Sequence, residues 1–331
     1  MRDARLLLTA LRDPASVNAL STDDWNALVA MARAERLIGT LAVRLAGRDV
    51  PDAVRPILAD ARSDAAREAQ QALWEADRAV AALGGLDVPV LLLKGTAYAA
   101  AGLKAGEGRF IGDLDILVPR DALDAVEAAL FAAGWEWAKP DPYDDAYYRQ
   151  WMHELPPMIH GTRDRMIDVH HTILPLTARP TPDAGAMIAD AVSIGDGLYI
   201  LSPADRVCHA AAHMLADGDL QGGLRNLWDI QCLLAEVADP AVLDERAAHH
   251  GLGAQVRQAR RLADALYGNA SRLTLWDRLM AARLLARDGW GRERRKGLVF
   301  AFFVRSHWLR MPPLMLARHL FTKWRKGHRP A

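Results

Sequence analysis

The sequence predicts an α+β protein, with a small mixed β-sheet between N-terminal and C-terminal helical regions. Three observations carry this reading. Both ends of the 331-residue chain are rich in Ala, Leu and Arg, with apolar residues at helical spacing. The pattern changes at Asp87, where short apolar runs bounded by turn residues begin. Helical periodicity returns after Pro182. The length suits about two domains. A composition of 51% hydrophobic and 25% charged residues provides a real core and excludes wholesale disorder.

Each element has its own signal. Ser21-Thr22-Asp23-Asp24 is an N-cap with acids in the first turn, followed by Trp25, Leu28, Val29 and Met31 on a helix. Pro51 starts a long, partly exposed helix running toward Leu83, and Gly84-Gly85 ends it. Val88 to Leu93 is a buried strand, Ala97 to about Lys104 a helix, and Phe110 to Val118 a second strand closed by Pro119. A helix over 122–133 precedes a short strand at Trp135-Glu136-Trp137 and a polar loop from Asp141 to Asp145. Tyr147 to Met158 and Arg165 to Ile173 read as two strands around a turn at Gly161-Thr162. Ser202-Pro203-Ala204-Asp205 resembles a capping box and opens a helix through Leu215. Further helices follow at 224–237, 243–249, 257–266 and 275–286. These boundaries divide the chain into a helical region 1–84, a core 85–180, a helical domain 181–286 and a tail 287–331.

The formal net charge is zero, which argues against a protein that coats nucleic acid. The balance is uneven, however. From Arg287 to Ala331 there are twelve Lys or Arg and two acids, Asp288 and Glu293, so the body is acidic and the tail basic. Cys208 and Cys232 lack the spacing of a metal site and are too few for a disulfide framework. With no signal-peptide pattern at Met1-Arg2-Asp3, a cytoplasmic setting is expected. No uncharged apolar run reaches transmembrane length.

The most informative stretch runs from Arg109 to Val118. On a strand Asp113 and Asp115 share one face, about 7 Å apart, while Leu114, Ile116 and Val118 face the core. Two like charges on an apolar strand are costly unless a divalent cation neutralises them, and oxygen ligands there suit Mg²⁺. Two solvated acids on an edge strand are the ordinary alternative. Asp168, set among Met166, Ile167 and Val169, becomes a third carboxylate if its strand pairs beside the first. Lys94-Gly95-Thr96 lies between an apolar strand and a helix. Glycine permits close approach, Thr96 adds a hydroxyl, and Lys94 brings positive charge for phosphates.

Taken together, Lys94-Gly95-Thr96, Arg109, the segment Gly112 to Val118 and Ile167-Asp168-Val169-His170 resemble the uncharacterised nucleotidyltransferase family of the DNA polymerase β-like superfamily. The resemblance is tight over 88–172 and looser from Leu201 to Leu234. It departs from the commoner pattern at Thr96, where Ser is usual, with a hydroxyl retained. It implies a nucleotidyltransferase core in which Asp113, Asp115 and Asp168 are catalytic and hold two Mg²⁺ ions, with Mn²⁺ as the alternative. A hydroxyl or phosphate acceptor would attack the α-phosphate of an NTP and release pyrophosphate. Gly95 and Thr96 would hold the β/γ-phosphates, and Lys94 and Arg109 would neutralise charge. Members of the family are associated with bacterial polysaccharide and modified-peptide gene clusters, which implies a sugar or peptide acceptor. Two other readings stay open: a non-catalytic protein that binds nucleotide or peptide on the same core, and a transferase with a nucleotide-sugar donor.

Further candidates lie outside this core. His170 alternates onto the Asp168 face, as a group that orients the acceptor or as an ordinary strand residue. His209 and His213 share a helix face, with one facing the nucleotide or both structural; Ala210-Ala211-Ala212 between them excludes H-E-x-x-H. Arg225 and Asp229 form either a surface ion pair or a cleft-facing pair. The tail interleaves Trp290, Phe300, Phe302, Phe303, Trp308, Phe321 and Trp324 with basic residues. It can pack on the acidic body, attach peripherally to an anionic membrane, or bind an acidic acceptor or nucleic acid, in that order of preference.

Overall fold

A computed structural model of the chain describes residues 3–268, 272–312 and 315–318. The N-terminal region folds as α1 (Arg5–Arg12), α2 (Thr22–Ala34), α3 (Ile38–Arg44) and α4 (Arg55–Leu83). Ser21 caps α2 in a full capping box. Its hydroxyl accepts from the Asp24 N–H, and the Asp24 carboxylate accepts from the Ser21 N–H. The long helix starts at Arg55 rather than Pro51, with Pro56 in its first turn, where a missing N–H costs nothing. Its buried side is mostly small: Ala61, Ala65, Ala72, Ala76 and Ala79.

The sheet is built from β1 (Val90–Leu92), β2 (Leu114–Leu117), β3 (Trp135–Trp137), β4 (Met158–His160), β5 (Met166–His170), β6 (Val192–Gly195) and β7 (Leu198–Ile200). Among the described residues its order is β3-β4-β5-β2-β1-β7-β6. β2 runs parallel to β5 and β1 parallel to β7, while the other pairings are antiparallel. The sheet is therefore mixed, as expected. Helices α5 (Lys94–Ala100), α6 (Leu123–Ala132) and α7 (Pro142–Trp151) lie between its first strands. After the sheet residues come α8 (Ala184–Ala189), α9 (Pro203–Ala212), α10 (Gly223–Leu234), α11 (Pro240–His249), α12 (Gly253–Tyr267), α13 (Leu275–Leu284) and α14 (Lys296–Arg310), with α8 preceding the β6–β7 hairpin.

Three local expectations are corrected. The strand expected over 110–118 shortens to β2, because Ile111 N–H donates to the Glu68 carboxylate at 2.9 Å instead of to a neighbouring strand. The loop at 141–145 and the first half of the strand from Tyr147 are one helix, α7. Asp141 accepts from the N–H groups of Tyr143 and Asp144, and Pro142 opens the first turn, so local capping wins over the aromatic pattern. The β6–β7 hairpin replaces part of the helical stretch expected after Pro182. It turns through Gly195, Asp196 and Gly197, all with positive φ, and extends the sheet beyond residue 180.

The turn between β4 and β5 is pinned to α4. Arg163 donates to the Glu75 carboxylate at 2.8 Å and lies over the Trp135 ring. At the other end of the chain, α14 packs by one residue of its aromatic cluster. Phe302 is 3% exposed and stacks on Trp276, whereas Phe300 and Phe303 remain exposed. Arg305 donates to the Leu215 carbonyl at 2.7 Å. Phe321 and Trp324 lie outside the described residues. No helix among those residues is long and apolar enough to cross a membrane.

Candidate active site

β1 and β2 pair with Leu92 opposite Ile116, and the Leu93 N–H donates to the Asp115 carbonyl. The chain turns sharply at Lys94, whose φ is 48°. A left-handed conformation costs a non-glycine residue about 1–2 kcal/mol. The turn leads into α5, and the Lys94 ammonium donates to Asp115 Oδ1 at 2.6 Å.

The parallel pairing of β2 and β5 sets Asp115 opposite Asp168. Asp113 stands just before β2. Each of the three acids brings a carboxylate oxygen within 4.8 Å of the others. Their surroundings differ. Asp113 is exposed, while Asp115 is buried and meets His170 Nε2 at 2.9 Å as well as Lys94. Burial opposes the Asp115 charge, but the Lys94 ammonium and His170 overcome it and hold the pKa well below the usual range. The same carboxylate raises the pKa of Lys94 against its own desolvation. Asp168 behaves oppositely. Burial, and then the charges of Glu154, Asp115 and Asp113, push its pKa up to about 7. Its Oδ1 is buried with no hydrogen-bond partner. Crowded carboxylates with an orphaned oxygen fit an oxygen-ligated divalent cation.

Beside this cluster lies a small cleft bordered by Lys94, Arg109, His209, His213, Asn226 and Asp229. Gly95 lies against Arg109. A Cβ there would come 2.6 Å from Arg109 Nε and 3.2 Å from Ile111, so the close approach is made by the Arg109 side chain. Arg109 donates to Asp229 and lies over the Tyr98 ring. Thr96 is 1% exposed, and its hydroxyl has no hydrogen-bond partner. His209 is buried, and desolvation, with Lys94 and His213 nearby, drives its pKa well below the ordinary value. It is therefore a neutral imidazole at physiological pH.

Arg225 and Asp229 are both buried, which corrects the surface ion pair. Arg225 donates to Asp229 Oδ1 at 2.6 Å, to Thr40 Oγ1 at 2.5 Å and to the Ala105 carbonyl at 3.3 Å. It reaches the cleft through Asp229, which it shares with Arg109. The structure thus gathers Asp113, Asp115, Asp168 and His170 in one cluster, and Lys94, Arg109, His209 and His213 around the adjoining cleft.

Two residues escaped the sequence reading, His153 and Glu154. Both follow α7 and face His170. Their signal was a His-Glu pair just after a helix, hidden because the segment read as a strand.

A family described as uncharacterised nucleotidyltransferase matches residues 21–268. The chain belongs to that family. This nucleotidyltransferase is accordingly an enzyme that transfers phosphorus-containing groups, and its family implies a nucleotide substrate. No curated protein matches the chain significantly. The match covers α2 to α12 and so includes every strand of the sheet and every residue of the cluster and cleft.

Proposed function

We propose that this nucleotidyltransferase is Mg²⁺-dependent and moves a nucleoside monophosphate from an NTP to a hydroxyl or phosphate acceptor. The observation that supports this most is the convergence of Asp113, Asp115 and Asp168 around an unpartnered carboxylate oxygen. Those three residues would hold Mg²⁺, with Mn²⁺ as the alternative. When bound, the cation supplies charge neutralisation and orientation of the phosphates.

The chain's own residues account for the rest. Asp168 is the carboxylate that would accept the proton of an acceptor hydroxyl. The acceptor oxygen forms its bond to the α-phosphorus as the α–β bridging bond breaks, and pyrophosphate leaves with the electron pair. Lys94 and Arg109, which border the adjoining cleft, would balance the charge of that leaving group. Asp229, gripped by Arg225, fixes the direction of Arg109. Neutral His209 borders the same cleft, beside His213, and can donate or accept without adding charge.

For the acceptor we propose a sugar or a modified peptide of a bacterial biosynthetic pathway, on the family resemblance. The buried free thiols of Cys208 and Cys232 suit the reducing cytoplasm proposed as its compartment. The test is pyrophosphate release from each NTP with candidate acceptors, in Mg²⁺, in Mn²⁺ and in EDTA. Release in Mg²⁺ that vanishes in EDTA is expected, and equal release in EDTA would refute the metal-dependent mechanism.

A further inference from the structure

We propose that His153, Glu154 and His170 form a second metal site, selective for a transition-metal dication of the zinc type, next to the three aspartates. This site goes beyond nucleotidyl transfer and stands or falls independently of it.

The three side chains bring ligand atoms within 4.8 Å of one another. His170 Nδ1 lies 3.5 Å from Glu154 Oε2, and His153 Nε2 lies 3.6 Å from the same oxygen. Both separations are too long for hydrogen bonds. They are close to the edge of a tetrahedral zinc site, where bonds of 2.0–2.1 Å set neighbouring ligand atoms about 3.3 Å apart. The two imidazole rings lie 5.2 Å apart, centre to centre, and are tilted by 32°.

The strongest sign is His170. It is 1% exposed, and its Nδ1 has no hydrogen-bond partner. Leaving such a nitrogen buried and unpaired is costly. Its other nitrogen, Nε2, meets Asp115 Oδ1 at 2.9 Å. A histidine that binds zinc through one nitrogen while donating from the other to a carboxylate is the usual arrangement around that metal. The backbone supports the set, because Glu154 and His170 form a β-bridge that fixes their separation.

Two imidazoles and one carboxylate also choose the metal. Mg²⁺ and Ca²⁺ prefer all-oxygen ligands, whereas imidazole favours zinc and its neighbours. The set leaves a fourth position for water or substrate. Its first consequence is positional. A metal on Nδ1 fixes the His170 tautomer with its proton on Nε2, pointing at Asp115. His153, Glu154 and the metal are thus positioning groups for the aspartate cluster.

The test uses the full-length protein stripped with chelator, re-exposed to Zn²⁺ alone and passed through a desalting column for metal analysis. One zinc per chain is expected for wild type and for Asp113→Asn. Glu154→Gln and His153→Ala should each lower the zinc affinity at least tenfold while still melting cooperatively. Absence of zinc binding by wild type overturns the site, as does zinc lost in Asp113→Asn but kept in Glu154→Gln. Should either site variant fail to fold, cobalt substitution of wild type decides. Strong visible ligand-field bands that excess Mg²⁺ does not remove support the site, and the weak spectrum of an octahedral oxygen-bound ion refutes it.

Discussion

Lys94 donates its ammonium to Asp115 Oδ1 at 2.6 Å across the β1–β2 boundary. A lysine with positive φ at the strand end thereby neutralises the most buried acid of the cluster. The contact joins the cleft to the carboxylate cluster, so a change at either residue should be felt at both.

Lys94→Met leaves Asp115 buried beside His170, without its ammonium partner. Breaking a buried pair by removing one side costs about 3 kcal/mol. Asp115 has a depressed pKa, so its pairing contributes stability above the unfolded carboxylate range that is lost as pH falls through the folded value. The variant should therefore be less stable at neutral pH in EDTA and show a flatter acid limb. Mg²⁺ should recover more melting temperature for the variant than for wild type. Calorimetry with and without Mg²⁺ checks this, and equal Mg²⁺ shifts would count against cation binding at Asp115.

Asp113→Asn removes an exposed carboxylate, so the fold should be unaffected. Transfer should fall by at least about 10²-fold, the scale on which losing one preorganised electrostatic partner acts. A variant with wild-type turnover in Mg²⁺ would remove Asp113 from the mechanism.

Asp168 supplies the pH dependence. Its folded pKa of about 7 lies above the unfolded value of about 3.9, so the metal-free folded state holds an extra proton between them. In EDTA, its contribution to stability should decline as pH rises from about 4 to 7 and then level off. Asp168→Asn should abolish that decline and raise the melting temperature at pH 8 in EDTA, while transfer is lost. A melting temperature at pH 8 lower than that of wild type would contradict the charge crowding.

Deleting the chain from Arg292 onward removes α14 and its buried Phe302. A clear drop in melting temperature is expected. Phe302→Ala alone should cost about 3 kcal/mol. Of the three clustered phenylalanines only Phe302 is buried; Phe300, Phe303 and Trp308 stay exposed. Peripheral contact with an anionic membrane is the proposal for that face. Co-sedimentation with anionic vesicles should weaken with salt and with Phe300→Ser/Phe303→Ser, neither of which should alter the melting temperature.

The sequence by itself determined the overall order of helices, mixed sheet and helices, the caps at Ser21 and Ser202, and the three carboxylates, because these depend on local spacing and on residue chemistry; it missed α7 and the β6–β7 hairpin. Asp113 and Asp115 share a face through the period of an extended chain, whatever surrounds them. Asp168 was legible as a candidate, but only the parallel pairing of β2 with β5 sets it opposite Asp115. The same limit explains Arg225. Its spacing to Asp229 is a helix property, yet the burial that joins both to Arg109 and Thr40 comes from elements far apart in the chain. His153 and Glu154 were invisible because their meaning lies in facing His170 across a bridge between non-adjacent segments. Local pattern fixes which way a side chain leaves its own backbone. Which side chains it then meets is decided by long-range packing, where the cost of burying charge is settled among residues brought together only in the folded chain.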